Sequence, residues 1–364
     1  MRKFFGFLAT CLALSPLAMA SDSDFSIASS SDQKIVVDTD DSVELVSCNE
    51  ACSDSCNANY TGLSCGVKNR CRSGCCGNWF DNTVAFSGVE AFKSIGDSIS
   101  FSSGGQSFGL ANSAGLVNGL NTGFRLGRQS RIRGQVGGSI GVYDLKGRVG
   151  NNQTQSEQQE FLSAGAYKRS DVSNGDRIAW GVVYDQMWAH QWGVGANDFN
   201  LGQIRGIFGY ALNEQNEVGF WGTAHTNSLN LSVDDTTLGI IDVQAVNQYN
   251  SYWRHNYGFG GTSMLYAGFV DKADNLGSWT LGSQVTAPMG QRVALYGNSA
   301  FMFPSSATGI AGSSELLWSV SGGLSYSFGS KTVSRNVSGQ SCLPLLPVAN
   351  NGTFLVSGTP VDAG

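Results

Sequence analysis

Proline, histidine and charge are all scarce in this chain of 364 residues, which holds six prolines, three histidines and only 14% Asp, Glu, Lys and Arg together. Few prolines and the lack of a G-x-y period exclude collagen and a proline-rich linker. Glycine is nevertheless abundant, at 48 residues or roughly twice its usual share, so close backbone packing or many turns must account for it. No basic cluster is longer than Arg131-Ile132-Arg133 and the pI is near 5.1, so a nucleic-acid partner is not expected. The hydrophobic share of 41% excludes a disordered chain and suffices for one large β domain or two ordinary ones.

Long hydrophobic runs are also missing. The one apolar stretch, Phe4 to Leu14, follows Arg2 and Lys3 and leads to Leu17-Ala18-Met19-Ala20 and the polar Ser21-Asp22-Ser23-Asp24. That order reads as a cleaved secretory signal over 1–20, and the stretch is shorter than the ~20 residues of a spanning helix. Leu343 to Val348 is too short and contains two prolines. A chain without spanning helices can cross a bilayer only as a closed β-barrel.

Eight cysteines follow the signal: Cys48, Cys52, Cys56, Cys65, Cys71, Cys75 and Cys76 in a cluster, and Cys342 far downstream. Such density in an exported chain points to disulfides, because the cluster is too short to build its own core. Seven is odd, so Cys342 either pairs back to the cluster, stays a free thiol, or bridges to another chain. Zinc is the rival reading, but Cys48-x3-Cys52-x3-Cys56 lacks C-x2-C pairs and no histidine is near. The expected organisation is signal 1–20, an acidic Ser/Asp-rich leader 21–47, a Cys-rich module 48–78, a β domain 79–329 and a tail 330–364.

Over the β domain the signal is period two. Ile178, Trp180, Val182, Tyr184 and Trp188 share one face of a strand, against Arg177, Ala179, Gly181 and Asp185. Ile132, Val136, Ile140 and Val142 oppose Arg131, Arg133, Gln135 and Ser139, while Ile204, Phe208, Tyr210 and Leu212 oppose Gln203 and Arg205. Leu316, Trp318, Val320, Leu324, Tyr326 and Phe328 alternate with serines. About twelve strands are expected, most of 11 or more residues, where soluble strands peak near ~5 to 6 and tilted membrane strands need ~9 to 11. The connections alternate: Arg128 to Ser130, Arg169 to Gly175, Asn213 to Gln215, His255 to Gly258 and Pro288 to Gly290 are short. Lys93 to Ala114, Asp144 to Ser156, Ala189 to Asn200, Ser228 to Ile240 and Pro304 to Ser313 are long, and only Asp271 to Asn275 breaks the order. Membrane barrels show this asymmetry. Both ends of the barrel domain then fall on the short-turn side, where the cysteine module and the tail could meet.

The polar faces carry Ser, Thr, Gly, Gln and Asn rather than Lys and Glu, which suits a crowded lumen better than open solvent. Trp180, Trp188, Trp192, Tyr210, Tyr249, Trp253, Trp279, Phe303 and Tyr326 fall near strand ends, as interfacial girdles require. Alternation alone cannot say which side meets lipid, and a soluble β-sandwich or barrel with an aromatic core remains the alternative.

Two stretches resemble known families. Val320-Ser321-Gly322-Gly323-Leu324-Ser325-Tyr326-Ser327-Phe328 looks like the closing strand of bacterial outer-membrane β-barrels, although about 36 residues follow it here. Val84-Ala85-Phe86-Ser87-Gly88-Val89-Glu90-Ala91-Phe92-Lys93, with Ser107-Phe108-Gly109-Leu110 and Gly119-Leu120-Asn121, is similar to an uncharacterised family of exported β-barrel-like proteins from planctomycete bacteria. The resemblance implies a fold and a compartment, and no activity.

Catalytic chemistry is thin. A serine nucleophile needs a base within reach, and Ser228 lies three residues from His225, so the two would diverge on a continuing strand. Asp234-Asp235 and Asp40-Asp41 lack calcium-loop spacing, and Gly258-Phe259-Gly260-Gly261 lacks the Lys-Ser/Thr of a phosphate loop. No metal and no cofactor is expected. Arg125, Arg131, Arg133 and Arg205, with Gln203 and Asp185, are the candidate pore-lining set, since arginine rings favour anions. The rival reading is that these arginines lie near the rims, or pair with Glu160, Asp185 or Glu217 and plug the lumen. The sequence thus leads to an all-β, antiparallel up-and-down transmembrane barrel of about twelve strands in outer-membrane lipid, with a small disulfide-rich N-terminal module. It would be a non-enzymatic, porin-like passive channel biased toward small anionic solutes, or a structural envelope protein. The alternative is a secreted or surface-attached adhesive scaffold, joined to a second copy or an envelope partner through its cysteines.

Overall fold

In the computed structural model the described residues are 79–93, 102–103, 106–107, 113–127, 130–144, 156–192, 197–232, 240–271, 279–303, 316–329 and 343–361. The signal, the leader, the Cys-rich module and Cys342 lie outside them.

Period two becomes a closed antiparallel barrel of twelve strands. In chain order the strands are β1 Thr83–Lys93, the two-residue β2 Ser102–Ser103 and β3 Gln106–Ser107, β4 Ser113–Arg125, β5 Arg133–Tyr143, β6 Glu157–Lys168, β7 Ile178–Trp192 and β8 Asn197–Ala211. There follow β9 Asn216–His225, β10 Ser228–Ser232, β11 Ile240–Ala245, β12 Gln248–Asn256, β13 Thr262–Val270, β14 Trp279–Pro288, β15 Val293–Phe303, β16 Leu317–Ser327 and β17 Val356–Val361. β1 closes the ring by pairing with both β4 and β16, leaving no free edge. β2 and β3 form a separate ladder, and β10, β11 and β17 form a three-stranded sheet.

The apolar stripes face outward. Val89, Leu120, Val136, Ile140, Val182, Ile204, Phe208, Phe220, Leu265, Leu295 and Leu324 are exposed, with Phe220 at 65%. Their strand neighbours Glu90, Asn121, Arg133, Gln135, Gln159, Ser163, Asp185, Gln203, Arg205, Glu217, Gln248 and Asn250 are buried inside. An apolar outside and a polar inside invert the soluble arrangement. Aromatics mark both ends of the outer wall. Tyr249, Phe269, Trp279 and Phe303 are consecutive cross-strand partners at the long-loop rim, with Trp279 stacked on Phe303 at 3.9 Å. At the short-turn rim Trp253, His255, Tyr257 and Phe259 lie ring against ring, and Tyr326 meets Phe328 edge-on.

The short turns are built locally. In the β8–β9 hairpin the Asn213 side chain accepts hydrogen bonds from the backbone N–H groups of Gln215 (2.9 Å) and Asn216 (2.7 Å), which folds the chain back in place.

Four expectations need correction. The strand expected over Ile241 to Arg254 is two strands: β11 leaves the wall and β12 enters it at Gln248. The loop expected over Ala189 to Asn200 shrinks to 193–196, because β7 and β8 each run to 15 residues. Trp192 belongs to no girdle; it is buried and packs edge-on against Phe199. The tail does not stay on the short-turn side. Its residues Leu343 to Leu355 pass through the lumen, and β17 pairs with β11 beyond the long-loop rim.

Candidate functional site: the occupied lumen

Among the described residues no strand pairs with the tail inside the lumen, so its backbone groups need other partners, since buried N–H and C=O groups are costly when unpaired. Pro344 and Pro347 reduce the demand by lacking an N–H. Inward side chains meet the rest. At the short-turn rim Tyr167 donates to the Leu343 carbonyl at 2.8 Å, and Arg169 donates to Leu343 at 3.1 Å and to Pro344 at 2.6 Å. Burial draws the Arg169 guanidinium down to about 10, which leaves it charged at neutral pH. Higher up, Gln135 acts as a substitute strand. Its Oε1 accepts from the N–H groups of Leu345 and Leu346, both at 3.2 Å, and its Nε2 donates to the Leu346 carbonyl at 3.0 Å, where Asn121 Nδ2 also donates.

At mid-barrel Arg205 Nη2 donates to the Pro347 carbonyl at 2.7 Å. The same guanidinium is paired with Asp185, which also accepts from Ser163 and Gln203. Ser163 Oγ accepts from the Ala349 N–H at 3.0 Å. Asn351 Nδ2 reaches Glu90 at 3.1 Å, where Tyr143 and Ser319 also donate. Gln203 and Gln248 both donate to the Thr353 carbonyl.

Apolar packing seals the long-loop end. Phe354, Leu355 and Val356 of the tail sit in one cluster with Phe161, Met187, Leu201, Val270, Met302 and Leu317 of the wall, and with Val243 and Ala245 of β11. Lower down, Leu346 packs with Val183, Ile207, Trp221 and Tyr266. Two inward glycines make room for the tail. A Cβ on Gly137 would stand 2.7 Å from Val348 Cγ2, and one on Gly181 would stand 2.6 Å from Leu346 Cδ1. On the other side of the tail a cavity of about 320 Å³ remains, reaching from the short-turn rim to Glu90 and Asn350.

The candidate residues divide accordingly. Arg205, Gln203 and Asp185 come together, buried, against the tail. Arg133 is buried on the inner face of β5, and Arg125 is its cross-strand partner at the end of β4. Arg131 is a correction: it sits on the exposed turn before β5, where its guanidinium bonds Asp176 at 2.8 Å. Gln135, Ser163, Glu90, Tyr143 and Asn351 were not singled out by sequence. The signal available for them was the run of inward amides and hydroxyls, which matches an uncharged backbone better than it matches ions. His225 Nδ1 lies 3.0 Å from Asn247 Oδ1, and Ser228 begins the next strand, β10.

Solved structures with a similar trace include an outer-membrane phospholipase of Salmonella typhi, crystallised as a dimer with bound calcium. It is 9% identical, with a TM-score of 0.39, covering 67% of this chain and 90% of that one. A FadL homologue of Pseudomonas aeruginosa is 9% identical, with a TM-score of 0.36, covering 68% and 89%. An anion-selective porin from Comamonas acidovorans is 14% identical, with a TM-score of 0.28, covering 67% and 97%. None of the curated proteins matches the chain. One family model matches residues 82–356, which takes in every barrel strand and the tail as far as the first residue of β17, and the chain therefore belongs to this family of unknown function (DUF6666).

Proposed function

We propose that the protein is a non-enzymatic outer-membrane β-barrel whose lumen is stoppered by its own C-terminal segment. Its resting role is that of a closed envelope barrel, and passage of solutes requires displacement of the tail. The membrane placement is supported by an apolar outer wall between two aromatic rows over strands of 9 to 15 residues. Short turns would then face the periplasm and long loops the exterior.

The observation that carries the reading is the satisfied path of Leu343 to Leu355 through the lumen. A segment held only by lattice-like chance contacts would not have its carbonyls met one after another by inward Gln, Asn and Arg side chains. In planar bilayers the full chain is expected to stay closed, while a chain ending at Phe328 opens steps of stable conductance. Heat-dependent gel mobility checks that the shortened barrel is folded. Steady open conductance from the full chain would overturn the stopper. An anion-biased pore lined by Arg125, Arg133 and Arg205 is the corresponding proposal for the tail-free barrel.

A second reading, a surface scaffold, is favoured by one feature. β10, β11 and β17 build a small sheet at the long-loop rim whose outer strands each have one edge unpaired among the described residues. Labelling of intact cells at a cysteine placed in β10 would separate surface display from a buried rim.

A further inference from the structure

The cavity beside the tail has two unlike walls, and this asymmetry selects a ligand. One wall is the inner face of β14, β15 and β16. Gln284, Asn298 and Ser321 are cross-strand neighbours there, and Thr286 and Tyr296 form the next pair toward the short-turn rim. These groups are amides and hydroxyls with no formal charge. Asn298 Nδ2 donates to Ser321 Oγ at 3.2 Å, whereas the Gln284 amide and the Tyr296 phenol have no side-chain hydrogen bond among the described residues. Tyr296 is held from behind by Phe86, ring to ring at 6.0 Å and 82°. The facing wall is the tail, which presents Leu345, Leu346, Pro347 and Val348.

Apart from Glu214, exposed on the short turn between β8 and β9, the charged groups lining this space are bonded within the protein. Glu90 takes hydrogen bonds from Tyr143, Ser319 and Asn351. Glu217 is paired with Arg254 at 2.8 Å and bonded by Tyr252. Arg169 is turned to the tail carbonyls. Glu90 and Arg169 are met by neutral groups and Glu217 by Arg254, so an ion entering would have to compete with bonds already made while losing its hydration, which is unfavourable. A neutral molecule with several hydroxyls on one side and C–H surface on the other would meet donors and acceptors on β14–β16 and apolar contact on the tail. A cavity of about 320 Å³ lies at the lower end of the size range of small-molecule sites.

We propose that this vestibule is a binding site for a neutral polyhydroxylated molecule of the sugar class, entering from the short-turn rim. Gln284, Asn298 and Tyr296 are the hydrogen-bonding residues, and the tail is the opposing apolar wall. The proposal rests on the tail occupying the lumen, since that segment forms half of the site.

The test is titration calorimetry on the full chain in detergent, with glucose, sucrose and glucose 6-phosphate as separate ligands. Saturable binding of a neutral sugar is expected, weakened roughly 10-fold by Gln284→Leu and again by Tyr296→Phe, since each removes a hydrogen bond. Ser251→Ala, on the outer face of β12, is expected to bind as the parent does. Heat-dependent gel mobility keeps misfolded variants out of the comparison. Absence of saturable binding by either neutral sugar overturns the site, as does equal affinity in Gln284→Leu and Tyr296→Phe. Tighter binding of glucose 6-phosphate would mean that charge governs the vestibule, and overturns the neutral class. Failure here leaves the bilayer measurement untouched, whereas a conducting full chain would sink the stopper and with it the tail wall of this site.

Discussion

Arg205 and Asp185 form a buried ion pair inside the barrel, with Nε to Oδ2 at 2.9 Å and side-chain exposures of 2% and 0%. The pair links wall to tail, because the same guanidinium also holds the Pro347 carbonyl. Removing one member strands the other charge in a dry site, at a cost of about 3–5 kcal/mol. Asp185→Ala is therefore expected to lower the urea midpoint of the detergent-solubilised barrel and to let the tail move. An Arg205→Met/Asp185→Leu double variant should recover much of the midpoint, since it leaves no lone charge. If the double variant is as unstable as the single one, the pair itself and not the stranded charge is the source of stability.

Gly181 and Gly137 supply the clearance along which the tail lies. Valine at either place would collide with Leu346 or Val348, and the tail has more freedom to yield than a twelve-strand wall. The expected outcome for Gly181→Val is a folded, heat-modifiable barrel in which a protease cuts the tail at least several-fold faster than in the parent. Unchanged cleavage would mean that the wall, not the tail, gives way.

At the short-turn rim Asp176 accepts hydrogen bonds from Lys168 and Arg131. Burial by itself would raise the Asp176 carboxyl, but these two donors outweigh it and hold the group below its ordinary value of 3.8. A carboxyl lowered in the folded state adds stability above its unfolded value and loses it as pH falls through the folded one. Asp176→Asn should thus lower stability at pH 7, by about 1 kcal/mol or less for a rim pair, and the gap from the parent should close as pH falls through the lowered folded value. Urea titrations at pH 7 and in strong acid read this directly, and a gap that persists in acid would exclude the carboxylate as its cause.

The wall of this barrel was legible because each strand writes its two faces as alternate residues. Ile204 and Phe208 against Gln203 and Arg205 suffice to orient β8, and a lack of exposed Lys and Glu on the polar side says that side is not open water. The tail was illegible for the converse reason. Leu343-Pro344-Leu345-Leu346-Pro347-Val348 has no period, because it pairs with side chains such as Gln135 and Asn121 whose spacing belongs to other strands. β11 misled for a related reason: Ile241 and Val243 alternate as well as any wall strand, yet they pair with β17, far along the chain, and not with the wall. Arg131 looked like a continuation of the Arg133 face, and only the turn geometry puts it on Asp176.

Gln135 offers the sharpest test of how the tail is held. Its amide accepts from two tail N–H groups and donates to one carbonyl, so different substitutions remove different parts of the contact. Gln135→Met keeps the volume but leaves the N–H groups of Leu345 and Leu346 without an acceptor, while the Leu346 carbonyl keeps its bond from Asn121. Each stranded donor costs about 1–3 kcal/mol, so this variant should show a lower unfolding midpoint and faster hydrogen exchange at those two amides. Gln135→Glu keeps an acceptor for both N–H groups and loses only the donor to a carbonyl that has another. It should protect the two amides nearly as well as the parent. Equal exchange in the Met and Glu variants would show that Leu346 and Phe354, through packing alone, fix the tail in the lumen.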